Sequence, residues 1–278
     1  MTNLFMRFPG GKSRAFTMSY DDGVEQDVKL IAIMRKHGVK GTFNLNAGLF
    51  AKEGTVYPAG TIHRRMTLEA CKKAYAGGDM EVACHGYTHP FLEQLPASLC
   101  NRQILDDRQA LENEFGTLVR GAAYPYGSFS DGVVEALRAS GIVYCRTTIS
   151  TCAFQLPSDW LRLPATCHHN NPQLMELADK FLSAPNTRGP LLFYLWGHAY
   201  EFEANDNWDV IEKFLDKIAQ QDEVWYATNI EIYDYIQAYK QLIFSCDGSY
   251  VMNPTAKELW FRIDSNNYRI GAGETLKL

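Results

Sequence analysis

The feature that most constrains this chain is the exchange of short strand-like runs with helix-like runs over its first 240 residues. Ala15-Phe16-Thr17-Met18-Ser19-Tyr20 reads as a buried strand. Val28 to Lys36 follows as an amphipathic stretch closed by His37-Gly38, and Gly41 to Leu45 is the next strand. Thr67 opens a helix through Ala76 that Gly77-Gly78 stops. The alternation continues with strands over 80–84, 122–124, 143–147, 190–196 and 224–227, and helices over 96–115, 131–139, 208–219 and 230–239. It predicts a parallel sheet, open or closed, because parallel neighbours need long return connections and helices supply them. Residues 241–278 change character. Leu242-Ile243-Phe244, Leu259 to Ile263 and Tyr268 to Ile270 read as short strands between Asp-Gly and Ser-Asn-Asn turns. The expected organisation is therefore a main α/β domain over 1–240 and a small antiparallel β appendage over 241–278.

Composition narrows the function classes. At 278 residues, 46% apolar and 21% charged, the chain has enough material for one large globular domain. A net charge of -5 argues against a nucleic-acid partner. No run approaches the roughly 18 apolar residues of a membrane span. Met1 to Arg14 has no apolar core of a signal peptide, so a cytoplasmic location is expected. The seven cysteines are odd in number and none shows Cys-x2-Cys spacing, which favours a reducing compartment. That setting suits a small acylated sugar, an oligosaccharide or another small amide better than a wall polymer. No sequence feature fixes the oligomeric state.

Chemistry gathers at the strand ends. Asp21-Asp22-Gly23 ends the first strand, and His85-Gly86-Tyr87-Thr88-His89 follows Glu81-Val82-Ala83-Cys84. Carboxyl ends of parallel strands are where α/β folds build sites. Two imidazoles four apart and one carboxylate form a three-ligand face with open positions for water and substrate. His85, His89 and one carboxylate of Asp21-Asp22 are the expected ligands of a divalent metal ion, with the other carboxylate as a candidate base. Zinc is the first expectation; cobalt, nickel, manganese or iron suit the same donors.

Five segments in this order resemble the polysaccharide deacetylase family, the NodB-homology domain of carbohydrate esterase family 4. They are Thr17 to Gly23, His85 to Pro90, Ala123-Tyr124-Pro125-Tyr126-Gly127, the weaker Ser158-Asp159-Trp160, and Leu195-Trp196-Gly197-His198. The resemblance spans roughly 14–240 and implies a distorted (β/α) barrel of seven strands. It implies Asp22, His85 and His89 as the metal ligands, Asp21 as base, His198 as the acid that protonates the leaving amine, and the Tyr126 backbone N–H as an oxyanion donor. Asp159 is the candidate to tune His198. Tyr124, Trp160 and Trp196 are candidates for an aromatic floor under a sugar. The family's third motif usually carries an arginine that pairs with the base; Ala123 stands there, leaving Arg146 and Arg162 as possible replacements. His168-His169 is read as cleft lining, a further ligand or a polar loop, and Glu201 as a polar substrate contact or a solvated residue. The expected activity is metal-dependent deacetylation of an N-acetylated carbohydrate. The rivals are hydrolysis of a small non-sugar amide, such as an imide or ureide, and a catalytically inactive sugar-binding protein.

Overall fold

Strand Arg14–Asp21 is buried at every position, as a strand covered on both faces must be. In this computed structural model, which describes residues 3–185 and 189–278, it lies at the centre of the fold. It pairs in parallel with Gly41–Leu45 on one edge and Leu191–Gly197 on the other. From Gly41–Leu45 the sheet continues through Met80–Cys84, Gly121–Ala123 and Tyr144–Ser150, all parallel. One segment used twice closes the ring. Leu163–Ala165 pairs with Tyr144–Ser150, and directly afterwards Cys167–His168 pairs with Leu191–Gly197. At the changeover Thr166 donates its N–H to the Tyr194 carbonyl and accepts from the Cys152 N–H. The result is the expected distorted barrel, seven strands when the split one is counted once. A further short strand, Val224–Tyr226, is wedged beside Arg14–Phe16.

The helices begin and end where local chemistry dictates. Thr67 accepts from the Ala70 N–H to start Leu68–Tyr75, and Ser130 accepts from Val133 to start Asp131–Ala139. Thr228 and Glu231 form a reciprocal capping box on Asn229–Tyr239. Gly116 closes Ala97–Phe115 in the left-handed conformation. Helices Leu174–Ser183 and Tyr200–Ala204 add to those expected from sequence.

The antiparallel C-terminal strands are present, in two three-stranded sheets. One contains Ile243–Phe244, Tyr250–Met252 and Thr275–Lys277. In the other, Leu259–Ile263 pairs with Asn266–Ile270 and with Leu4–Arg7 from the opposite end of the chain. That N-terminal strand was not expected: it is four residues long, and its partner lies beyond the reach of any local pattern. Among the described residues no helix is long and apolar enough to cross a membrane.

Candidate metal-binding and catalytic site

The carboxyl ends of the barrel strands surround a cleft of about 550 Å³ lined by Asp21, Asp22, His85, His89, Tyr124, Tyr126, Trp196 and His198. Three of these residues have backbones in the left-handed region: Asp22 (φ 84), His89 (φ 55) and Tyr126 (φ 58). Non-glycine residues adopt that region at a cost that surrounding structure must offset, and such residues concentrate at functional sites.

Asp22, His85 and His89 each present a ligand atom, and these atoms lie within 4.8 Å of one another. The tautomer of His85 follows from its outer partner. Its Nδ1 sits 2.9 Å from the Ala123 carbonyl, which can only accept, so Nδ1 carries the proton and Nε2 offers a lone pair. That lone pair faces His89 Nε2 at 3.2 Å. Burial, the largest influence on both rings, pushes their pKa values down, His89 to about 4 with His85 adding to the effect. Both imidazoles are therefore neutral near pH 7, as metal ligation requires. Burial alone would raise the Asp22 pKa; His63 at 3.2 Å, His85 and Arg65 at 3.0 Å outweigh it and hold the carboxyl ionised. Converging neutral imidazole nitrogens beside an ionised carboxylate fit a divalent cation.

Asp21 is 2% exposed. Asn44 Nδ2 donates to its Oδ1 at 2.8 Å, and the Arg146 guanidinium donates to its Oδ2. Burial would raise the Asp21 pKa, but Arg146, His85 and His198 together lower it. The strand register explains how a chain with alanine in the third motif still supplies this guanidinium. Ala123 pairs directly with Arg146 on the next strand, so the cation comes from the lateral neighbour of the usual position. Trp196 fixes it from the other side, its ring 4.4 Å from the guanidinium carbon. Asp21 Oδ2 lies 3.8 Å from both His85 Nε2 and His198 Nε2.

Four sequence expectations meet a different placement. Asp159 does not reach His198: it accepts from the Leu161 N–H at 3.0 Å and pairs with Arg162 at 2.7 Å. Arg162 also bonds Asp131, at 2.6 Å, and so is held away from Asp21. Trp160 packs edge-on against Tyr233, 5.1 Å between centroids, in the cluster beneath helix Asn229–Tyr239, so it is no part of a cleft floor. His169 is buried between Tyr20 and Phe202, with centroids 5.7 and 4.1 Å away, and does not line the cleft. Gly197 admits it there, since a Cβ at that position would come within 2.0 Å of the His169 ring.

Tyr124 and Trp196 do border the cleft, with the Tyr124 hydroxyl committed to the Leu161 carbonyl at 2.6 Å. Tyr126 stacks on Phe91 at 3.9 Å and meets His89 edge-on at 4.5 Å. The carboxylate beside His198 is Glu201, whose Oε1 lies 3.2 Å from Nδ1. Burial would lower the His198 pKa; the Glu201 hydrogen bond and Asp21 overcome it and raise the value. His63, Arg65 and Tyr200 also line the cleft, and sequence reasoning passed them over. The basic run His63-Arg64-Arg65 was a usable signal, since Arg64 anchors its loop through two 2.9 Å bonds to Glu203.

Residues 9–145 match the polysaccharide deacetylase family. Over 144 residues, 52% of this chain, it is 25% identical to the uncharacterized protein YlxY of Bacillus subtilis (strain 168), a match spanning 40% of that protein's length. The fold is shared with a candidate polysaccharide deacetylase of Mycobacterium smegmatis, at TM-score 0.58 and 17% identity over 84% of this chain and 93% of that one. It is also shared with the Xyl-CE4 domain of a multidomain xylanase from the hindgut metagenome of Trinervitermes trinervoides, at TM-score 0.53 and 15% identity over 82% and 92% of the two chains. Four of the five motifs line one cleft, and the match over residues 9–145 takes in the first three of them, so this part of the chain belongs to the polysaccharide deacetylase family.

Proposed function

We propose that this protein is a metal-dependent hydrolase that removes the acetyl group from an N-acetylated carbohydrate, a small sugar or short oligosaccharide. The observation that carries the reading is the position of Asp21 Oδ2, 3.8 Å from both a ligand imidazole, His85, and the candidate acid, His198. When bound at Asp22, His85 and His89, a divalent ion, zinc first, supplies Lewis-acid polarisation of the acyl group and makes water more acidic. Asp21, held ionised by Arg146, takes the proton of the attacking water. Water oxygen bonds to the acyl carbon, and the Tyr126 backbone N–H donates to the oxygen that gains charge. His198 delivers a proton to the amine nitrogen as the carbon–nitrogen bond breaks, so acetate and a free amine leave. Tyr124 and Trp196 offer apolar surface to a sugar ring.

All seven cysteines are free and five are buried, which accords with a reducing compartment and a cytoplasmic substrate. The test is acetate release from N-acetylglucosamine and its oligomers by metal-reconstituted protein, alongside Asp21→Asn. The variant is expected to keep stoichiometric metal and lose roughly 10²- to 10⁴-fold in rate, the usual contribution of a positioned base. A wild-type protein that binds metal but releases no acetate sinks this reading. Small imides and ureides would then be assayed, and inactivity on those would leave a binding protein.

A further inference from the structure

Glu201 sits where three imidazoles meet. Its Oε1 is 3.2 Å from His198 Nδ1, and its Oε2 is 3.1 Å from His168 Nε2 and 3.0 Å from His169 Nε2. The outer partners assign the protons. The Asn170 backbone N–H donates to His168 Nδ1 at 3.1 Å, so neutral His168 carries its proton on Nε2, aimed at Glu201. Tyr20 Oη is 3.2 Å from His169 Nδ1, while His169 Nε2 faces a carboxylate that only accepts. His169 therefore keeps its proton on Nε2 and receives the tyrosyl hydrogen at Nδ1. His198 Nδ1 faces the other carboxylate oxygen and carries a proton for the same reason.

Three imidazole nitrogens thus converge on one carboxylate, His198 Nδ1 through a hydrogen bond and His168 and His169 through close polar contacts, with His169 Nε2 too poorly aligned to count as hydrogen-bonded. His168, His198 and Glu201 have the spacing of a metal-binding group, but His168 Nε2 and His198 Nδ1 offer Glu201 protons rather than lone pairs. One hydrogen bond from His198 and two close imidazole contacts together hold the carboxylate. The cluster's rigidity comes from burial: the His169 ring is fully enclosed and stacked on Phe202, 26° from parallel. Glu201 and His198 also share one turn, the Glu201 N–H donating to the His198 carbonyl at 3.1 Å.

We propose that Glu201 is the positioning residue of His198, a role the fourth motif would have given to Asp159, and that His168 and His169 lock Glu201 in place. The assignment rests on His198 being the proton donor of the proposed reaction. A proton on Nδ1, held by Glu201, leaves Nε2 as the atom that faces Asp21 and the cleft. Glu201, Asp21, Asp22, His168, His169 and Tyr200 are the titratable groups around His198, with Trp196 also packed against its ring.

The test compares Glu201→Gln, Glu201→Asp and Asp159→Asn in the zinc-loaded protein. Glu201→Gln is expected to lower kcat about 10²-fold with KM little changed. An acid catalyst must be protonated, and losing an anionic partner makes it release its proton sooner, so the alkaline limb of kcat should move to lower pH. Asp159→Asn should leave both unchanged. A readout independent of turnover is the downfield Nδ1–H proton resonance of His198, identified by its absence in His198→Gln. It should disappear in Glu201→Gln while zinc content stays at the wild-type level. A wild-type kcat and pH limb in Glu201→Gln, an unmoved resonance, or an equal loss in Asp159→Asn would each overturn the proposal. Should Glu201→Gln fail to fold, Glu201→Asp carries the test: its resonance must shift, and an unshifted one refutes the assignment. If the wild type releases no acetate, the proposed reaction fails, and the resonance still decides whether Glu201 holds His198.

Discussion

At the scale of single residues, the pair to weigh is Arg146 with Asp21. Both are buried, at 1% and 2% exposure, and they come from strands that are not neighbours in the barrel. Removing one member of a buried pair leaves an unpaired charge in a poorly polarisable interior, typically a loss of about 3–5 kcal/mol. Arg146→Met in the metal-free protein should therefore lower the urea midpoint by that order of stability. Arg146→Lys should fall between, because an ammonium keeps the charge but cannot both reach Asp21 and lie flat on Trp196. An unchanged midpoint in Arg146→Met would show that Asp21 is stabilised by other groups. This pair also marks the limit of what the sequence discloses. Asp21, Asp22, His85 and His89 were legible because each cluster is contiguous and follows its own strand. Arg146 was one of two candidates until the register placed it beside Ala123, and pairing is a property of the assembled sheet. Glu201 reads from sequence as a polar substrate contact or a solvated residue, and its neighbours His168 and His169 arrive from a segment more than thirty residues earlier, beyond any local pattern.

At the scale of elements, the first turn of helix Asp27–Lys36 contains a buried carboxyl group. Asp27 Oδ2 accepts from the Val24 N–H at 3.1 Å and from the Tyr75 hydroxyl at 2.7 Å, while Oδ1 is enclosed with no hydrogen-bond partner. Burial, the dominant influence, pushes its pKa up to about 8, against about 3.9 in an unfolded chain. The folded state therefore binds the extra proton between about pH 4 and 8. Stability is greatest below that window and declines as pH rises through it. Asp27→Asn puts a permanent N–H where the proton would sit and keeps an oxygen for Val24 and Tyr75. Its unfolding free energy from urea titration is expected to match the wild type near pH 4 and exceed it by at least about 1 kcal/mol at pH 8. Parallel midpoint-against-pH curves for the two proteins would show that Asp27 is not the titrating group. Helix boundaries were legible within a residue or two where Thr67, Ser130 and Thr228 supply caps, since capping is decided over four residues. The split strand Leu163–His168 was not, because Pro164 within it argues against a strand in the sequence and each half, broken at Thr166, pairs with a different neighbour.

At the scale of the whole molecule, the two ends of the chain meet behind the barrel. Leu4–Arg7 is a strand of the same sheet as Leu259–Ile263. Tyr235 joins that sheet to the barrel's last helix: its hydroxyl donates to the Arg7 carbonyl at 2.7 Å and accepts from the Trp260 N–H at 2.9 Å. Phe8 packs in the same place against Trp225 and Tyr235. The C-terminal strands bury Val251, Leu259, Phe261, Ile263 and Ile270 in one cluster with Met6, Phe8, Ile232 and Ile236. At about 1.5–3 kcal/mol for each fully buried apolar side chain, those five contribute on the order of 10 kcal/mol as an upper bound. A domain's entire stability is commonly about 5–15 kcal/mol. The strands after Lys240 thus act as the second wall of a shared core, and the barrel is expected to depend on them although no cleft residue comes from that region. A chain ended after Lys240 should lack a cooperative thermal transition or unfold at a markedly lower temperature, and it should expose apolar surface to a dye such as ANS. Metal affinity measured on whatever folded fraction remains should stay near the wild-type value, because Asp22, His85 and His89 lie at the carboxyl ends of the strands, away from this sheet. A truncated chain with an unaltered melting temperature would show that the barrel folds alone and that the two ends are held together only by their own pairing.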